Sequence, residues 1–373
     1  GGIAMILRKA YGRSTITGAA ALLMAGSMII NESLVARTFG SYVAQLLPTD
    51  AGAFWVPTLG VGLIVAAFLV NLAGNRVIGA VSNVSAVIKI GGLLVFAAIA
   101  LAAAGVGLEI ETFPPSGDPS PTDFVGGLAL AILAYKGFTT ITNSGDEVVE
   151  PEKNVGRAIV ISLGICLVVY LAVCFAVASS LTLDELVEAK DYALAEAARP
   201  AIGRYGVWFA IAIAIVATAS GVLASIFAVS RMLAMLTDME LIPHRHFGMP
   251  GGIQTHTLVY AVVLAGGLAA LFDLSRIASM GAVFYLVMDI AIHWGVFRHI
   301  HEEVDARRAV LATAIALDLV VLGAFVTIKA MADPLIIVVS TTAIAAIGAF
   351  EYVYLRKQRD GDPEDTEPTP REH

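Results

Sequence analysis

Long apolar segments recur along almost the whole chain and are separated by short polar segments. A helix rises about 1.5 Å per residue, so about 20 apolar residues are enough to cross the hydrocarbon core of a bilayer. Ten segments are predicted to span a membrane, namely 16–47, 54–73, 78–105, 124–145, 158–181, 206–236, 257–272, 277–297, 309–331 and 334–354. The first is long and 257–272 is short, so these two have the least defined ends. The pattern predicts an all-α polytopic membrane protein with ten transmembrane helices.

The composition agrees with a membrane protein and argues against a soluble one. The absence of the corresponding motifs argues against a metal site and a phosphate-binding loop. Hydrophobic residues make up 58% of the chain and charged residues 14%, with a mean hydropathy of +0.82, whereas a soluble domain has roughly a quarter charged residues. His244 and His246 have no Cys or Glu partner at metal-ligand spacing. No glycine-rich loop precedes a Lys-Ser or Lys-Thr pair. The sequence therefore predicts no enzyme, no cofactor, no metal site and no nucleic-acid partner.

Lysine and arginine are distributed unevenly between the two sets of polar segments. If residue 1 lies in the cytoplasm, 15 of the 23 lysines and arginines lie on the cytoplasmic side, 5 on the outer side and 3 within spans. This excess obeys the positive-inside rule. We therefore expect a multi-pass protein of the cytoplasmic membrane, with both termini of this chain in the cytoplasm. The acidic tail, 356–373, has too little apolar content to fold and is expected to be disordered.

The fourth predicted span contains Lys136 and Gly137 where a membrane helix should be most apolar. Glycine frees both backbone dihedral angles, so the pair predicts a break in the helix. Transporters bind their substrates at broken spanning helices, because the freed backbone groups face the ligand. Four candidate substrate-binding residues surround the break: Ala134, Tyr135, Gly137 and Phe138. The aromatic side chains have packing as their alternative role, and Lys136 faces either into a cavity or away from it.

Lys89 is a second charged residue deep within a predicted span. It lies about 11 residues, or roughly 17 Å, from the start of that span, which is close to the middle of the bilayer. A charge at this depth is costly and usually functional. The functional interpretation is a proton-coupling group, because a lysine removed from water can gain and lose its proton. The structural alternative is a lysine paired with a carbonyl or an acid of a neighbouring helix.

Other polar residues within the spans form two smaller candidate sets. Asp289 and His293 are four positions apart and share a helix face, so they form either an intramembrane proton relay or a structural pair. Thr218 and Ser220 carry hydroxyl groups that bind an ion or close a contact between helices. Three further charges are isolated in the sequence: Glu32, Arg37 and Asp318.

The motif around the predicted break resembles a known superfamily of transporters. Tyr135-Lys136-Gly137-Phe138, then Asp146-Glu147 and EPEKNVGRAI, is similar to the sixth helix and following loop of the amino acid–polyamine–organocation superfamily. Further matches keep the superfamily's order along nearly the whole chain: LRKAYG, ARTFGSY with Arg37, Asn71 with Gly74, Ser230-Arg231 followed by Met235 and Asp238, and SMGAVFYLVMD. Gly156 departs from the pattern, which often has proline there, and the superfamily does not generally carry the pair Asp289 and His293.

The resemblance implies a leucine-transporter-like fold of two inverted five-helix repeats followed by two extra helices. On this pattern, 1–106 form helices three to five of a partial first repeat, 124–300 form the second repeat and 306–355 form the two additional helices. The superfamily's first and second helices are then absent, and the chain is expected to be truncated at its N-terminus. Substrate would bind between the broken first and sixth helices.

The resemblance also implies the expected function. It is closest to proton-coupled, broad-specificity amino acid transporters, in which a lysine on the fifth helix takes the place of a sodium ion, and Lys89 falls on that helix. We expect secondary active transport of amino acids by proton symport, with an amino acid, the proton and the lipid bilayer as partners. The alternatives are an amino acid or polyamine exchanger and a non-transporting membrane sensor or partner subunit.

Overall fold

The structure of the protein is a computed structural model. The structure describes residues 2–47, 52–73, 75–104, 121–143, 148–242 and 252–361. Five residues that the sequence singled out lie outside the described residues, namely Gly74, Asp146, Glu147, His244 and His246. Residues 362–373 of the predicted tail also lie outside them.

The described residues form helices without any strand, which confirms the predicted all-α class. Among the described residues, ten helical segments are long and apolar enough to cross a membrane. Their main helices are α2 (Thr15–Ala44), α3 (Gly52–Ala73), α4 (Asn75–Ala104), α5 (Pro121–Tyr135), α7 (Pro151–Ser180), α10 (Arg199–Asp238), α11 (Ile253–Leu271), α12 (Leu274–Gly295), α13 (Arg308–Ala332) and α14 (Pro334–Gly361). The segment that contains α5 is long enough only together with the turn and the short helix that follow it, up to Thr142. The short helices are α1 (Ile3–Tyr11), α6 (Thr139–Asn143), α8 (Leu183–Glu188) and α9 (Ala193–Ala197). A 3₁₀ turn, Lys136–Phe138, joins α5 to α6, and a π-helical turn, Val296–Ile300, extends α12. Each of the ten predicted spans overlaps one of these segments. α14 continues to Gly361, six residues into the tail that was expected to be disordered.

Local sequence signals explain several of the helix ends. Ser14 caps α2 by accepting a hydrogen bond from the Thr17 amide, and Asp273 caps α12 by accepting one from the Arg276 amide at 2.9 Å. Thr182 forms a capping box with Glu185 at the start of α8. In α10, Gly203 has a φ of 60°, which suits glycine and produces a kink. The regular part of α10 therefore begins close to residue 206, where the predicted span starts.

The helices divide into a buried inner set and an outer set with apolar exposed faces. α2 lies at the centre and packs against α3, α10 and α12, and these contacts form most of the main hydrophobic core. α7 buries only 6% of its most apolar segment, against 67% for α2. Large apolar side chains such as Val87, Val160 and Phe124 are exposed on the outer helices. In a membrane protein these faces contact lipid, so the arrangement is that of a multi-pass helical bundle.

Small residues allow α2 and α3 to approach each other closely. A Cβ atom added at Gly40 would lie 2.2 Å from the carbonyl oxygen of Val56, and one added at Gly60 would lie 2.9 Å from that of Ala36. Helix backbones in membranes come this close only where side chains are small. The contact between α2 and α3 therefore depends on glycine at both positions.

Replacing Gly40 with alanine is expected to force α2 and α3 apart and to lower stability by about 1–3 kcal/mol, the usual cost of overpacking. The matched control is Gly62→Ala on α3, because a Cβ atom there meets no atom within 4 Å. The midpoint of thermal unfolding in detergent should fall for Gly40→Ala only. Equal midpoints for the two variants would show that α2 and α3 do not pack this closely.

Candidate functional site

The predicted break in the fourth span is present in the structure. α5 ends at Tyr135, the backbone forms a 3₁₀ turn over Lys136–Phe138, and α6 then continues for five residues. A 3₁₀ turn inside a helix shifts hydrogen bonding from i→i−4 to i→i−3, so it alters which carbonyl groups are used by the helix itself. The interruption falls on Lys136-Gly137, as the sequence predicted.

The residues around the break differ in exposure. Ala134 and Gly137 are exposed, Tyr135 and Phe138 are half-buried, and Lys136 is buried. Two carbonyl groups accept hydrogen bonds from hydroxyl groups outside α5: the Ala134 oxygen from Tyr170 at 3.1 Å, and the Gly137 oxygen from Thr140 at 2.6 Å. A carbonyl oxygen has two lone pairs, so each can accept a second hydrogen bond.

Tyr170 of α7 was not singled out by the sequence analysis. Besides its hydrogen bond to Ala134, its ring packs edge-on against Tyr135 at a centroid distance of 5.1 Å. A tyrosine in an apolar span was a visible signal, since its hydroxyl group needs a partner when it is removed from water. Its partner could not be read from the sequence, because the two residues lie on different helices.

Lys136 points towards α2. Its ammonium group donates hydrogen bonds to the backbone oxygen of Ser27 at 2.6 Å and to the Ser27 hydroxyl at 2.8 Å. The side chain is only 8% exposed. The structure thus settles the orientation that the sequence left open: Lys136 anchors the break to the central helix of the bundle.

Glu32 is a second buried charge close to Lys136. It lies on α2 and is fully buried, and its charge acts on the lysine. One carboxylate oxygen accepts a hydrogen bond from Ser225 of α10 at 3.4 Å, and the other has no hydrogen-bond partner among the described residues. We call Ser27, Glu32, Lys136 and Ser225 the buried polar cluster. It joins the helix break to both α2 and α10.

Lys89 lies in the middle of α4, on the face that packs against α10. The residues one turn before and after it, Ser85 and Leu93, both line clefts shared with α10, and residues four apart share a helix face. Lys89 is half-buried and makes no hydrogen bond or ion pair with the described part of the chain. The structural alternative, a lysine paired with a carbonyl or an acid of a neighbouring helix, therefore finds no partner among these residues.

The structure brings Thr218 and Ser220 to the same helix interface as Lys89. Thr218 lines a cleft of about 170 Å³ together with Leu93, and Ser220 lines one of about 300 Å³ together with Ser85. Each hydroxyl group donates to a carbonyl of α10 itself, at 2.6 Å for Thr218 and 2.7 Å for Ser220. Their oxygen atoms keep acceptor capacity, so an ion or an ammonium group can still be bound there.

Asp289 and His293 lie on one face of α12, but the nearer acid to the histidine comes from α13. His293 Nδ1 is 3.0 Å from Asp318 Oδ2 and 3.9 Å from Asp289 Oδ2. The predicted two-residue pair is therefore part of a three-residue group. Asp318 appeared isolated in the sequence because it is 25 positions from His293.

A comparison with known families identifies the chain with one of them. The model of a family described as "Amino acid permease" matches residues 1–350. This match covers most of the chain and includes the helix break, the α4–α10 interface and the three-residue group.

Individual relatives agree with the family match. The inner membrane transport protein YbaT of Escherichia coli strain K12 is 26% identical over 325 residues, covering 87% of this chain and 74% of the relative. An uncharacterized protein of Methanocaldococcus jannaschii is 27% identical over 324 residues, covering 86% of this chain and 72% of the relative. An uncharacterized transporter of Mycobacterium tuberculosis strain H37Rv is 31% identical over 282 residues, covering 70% and 56%.

Proposed function

The chain belongs to the amino acid permease family, and we propose that it carries amino acids across the cytoplasmic membrane by proton symport. The observation that carries the proposal is the combination of a broken helix at Lys136–Phe138 with Lys89 on the face of α4 that packs against α10. Transporters bind substrate at such breaks, and intramembrane charges are usually functional.

In this proposal the exposed side of the break meets the substrate. The carbonyl groups of Ala134 and Gly137 attract the ammonium group of an amino acid, and Tyr135 and Phe138 form the wall of the pocket. The partial negative charge at the C-terminal end of α5 favours a cation at this point. Lys136 does not contact substrate but fixes the position of the break through Ser27.

The proton is carried by Lys89 in this proposal. An amine can take up a proton on one side of the membrane and release it on the other, and the neighbouring hydroxyl groups of Thr218 and Ser220 can accept a hydrogen bond from its protonated form.

Both termini of the chain lie in the cytoplasm in this proposal, which is supported by the distribution of lysine and arginine.

Transport by the protein can be tested in proteoliposomes. We expect labelled amino acid to accumulate in vesicles that contain no internal substrate when a proton gradient is imposed. Uptake that occurs only into vesicles preloaded with an amino acid or a polyamine would identify an exchanger instead. Absence of both kinds of uptake, with substrate binding retained, would favour a membrane sensor.

Replacing Gly137 with valine is expected to weaken amino acid uptake about tenfold or more, because overlap of a side chain with bound substrate costs roughly 1–3 kcal/mol. Gly137 is exposed, and a Cβ atom there meets nothing within 4 Å, so the fold should tolerate the change. Gly127→Val is the matched control, since Gly127 lies on α5 and has the same open surroundings. Equal uptake by the two variants would remove Gly137 from the substrate site.

A further inference from the structure

A group of three side chains with metal-ligand chemistry lies where α12 packs against α13, on helices that hold none of the residues assigned to substrate and proton. It contains Asp289, His293 and Asp318, and one ligand atom from each lies within 4.8 Å of the other two. We propose that these side chains form a binding site for a divalent transition-metal ion, with Zn²⁺ as the ion to test. The proposal does not depend on the transport function.

The separations between the ligand atoms suit a tetrahedral ion. Bonds of about 2.0–2.1 Å at the tetrahedral angle place neighbouring ligand atoms about 3.3–3.4 Å apart. His293 Nδ1 lies 3.0 Å from Asp318 Oδ2 and 3.9 Å from Asp289 Oδ2, so the two separations fall on either side of that value. Small side-chain rotations are enough to reach it. Asp289 and His293 are one turn apart on α12, and α13 supplies the third ligand across the helix interface.

The charges of the group favour a divalent cation. The described part of the chain offers the two aspartates no ion-pair partner other than His293. With both carboxylates ionised and the histidine neutral, the group carries two negative charges within the apolar span, which is costly. Two carboxylates, a neutral imidazole and a divalent ion have no net charge, so metal binding removes that cost.

The three side chains of the group are also partly exposed. The side chains of His293, Asp289 and Asp318 are 27%, 21% and 11% exposed. His293 lies seven positions before Ile300, the end of the π-helical turn, which places it about 10 Å from the helix end. A bound ion would keep a position for water and would strengthen the contact between α12 and α13, which the hydrogen bond between His293 and Asp318 already joins.

The test is a titration of the purified full chain in detergent with Zn²⁺, followed by calorimetry and by the shift in the midpoint of thermal unfolding. We expect saturable binding that raises the midpoint. His293→Gln and Asp318→Asn should each weaken this binding about tenfold or more, since removing a ligand has at least the effect of removing a residue that orients one. His299→Gln is the matched control, because His299 is exposed on the same helical segment, outside the group. It should bind Zn²⁺ as the unchanged protein does.

A Zn²⁺ affinity that is the same in His293→Gln as in the unchanged protein would overturn the proposal, as would the absence of saturable binding. Either result would identify the group as an ion pair or a proton relay. Zn²⁺ bound by other histidines would persist in all variants. If a variant fails to fold, two other measurements test the proposal. Asp289→Asn should weaken Zn²⁺ binding in the same way. Co²⁺ bound to the unchanged protein with tetrahedral coordination gives strong visible absorption bands, whereas octahedral Co²⁺ in water gives weak ones.

Discussion

Replacing Lys89 with alanine is expected to abolish amino acid uptake driven by a proton gradient and to preserve exchange of labelled substrate across vesicles without a gradient. The reason is that a methyl group cannot carry a proton, whereas the helix break at Lys136–Phe138, which is proposed to bind substrate, is on a different helix. Lys89 has no hydrogen-bond or ion-pair partner among the described residues. Its removal therefore leaves no buried charge uncompensated, and the protein should still fold.

The matched control for this experiment is Ile88→Ala, one position away on an exposed face of α4. It shortens a side chain at the same depth without removing an ionisable group. Gradient-driven uptake should remain in Ile88→Ala and disappear in Lys89→Ala. Unaltered proton-driven uptake by Lys89→Ala would show that another group carries the proton.

Replacing Lys136 with methionine is expected to produce the largest loss of stability, about 3–5 kcal/mol, which is the usual cost of removing one partner from a buried charge pair. The change removes two hydrogen bonds to Ser27 and leaves the fully buried Glu32 without the nearby positive charge. The expected observation is a lower midpoint of thermal unfolding in detergent. Lys190→Met is the control, because Lys190 is exposed.

A second substitution distinguishes the charge pair from simple packing. The double variant Lys136→Met with Glu32→Gln removes both charges, and buried pairs replaced as a whole often cost little. Its unfolding midpoint should therefore lie above that of Lys136→Met alone. Glu32→Gln alone completes the comparison. If the loss of stability in the double variant equals the sum of the losses in Lys136→Met and Glu32→Gln, the two side chains do not act on each other.

The membrane spans and the helix break could be predicted from the sequence because both depend on local composition. About 20 apolar residues specify a spanning helix, and Lys136-Gly137 interrupts one visibly. The short helix α1 was missed, although its buried residues Ile3, Leu7 and Ala10 recur at helical spacing. The π-helical turn after α12 has no local signal of this kind.

The contacts of the candidate site could not be predicted, because they depend on how helices are rotated and packed against each other. Lys136 reaches Ser27, which is 109 positions away, and His293 reaches Asp318 on the next helix. The sequence identified which polar residues are buried in spans, since a charge in an apolar segment is conspicuous. It could not identify their partners, because many pairings across helices satisfy the same pattern.

The proposed coupling of amino acid transport to protons can be tested by ion-gradient experiments on proteoliposomes. Uptake is measured under a proton gradient without sodium and under a sodium gradient at equal pH on both sides. We expect accumulation under the proton gradient and none under the sodium gradient alone. Accumulation that is driven by sodium and does not depend on the pH gradient would show that the protein is coupled to sodium and not to protons.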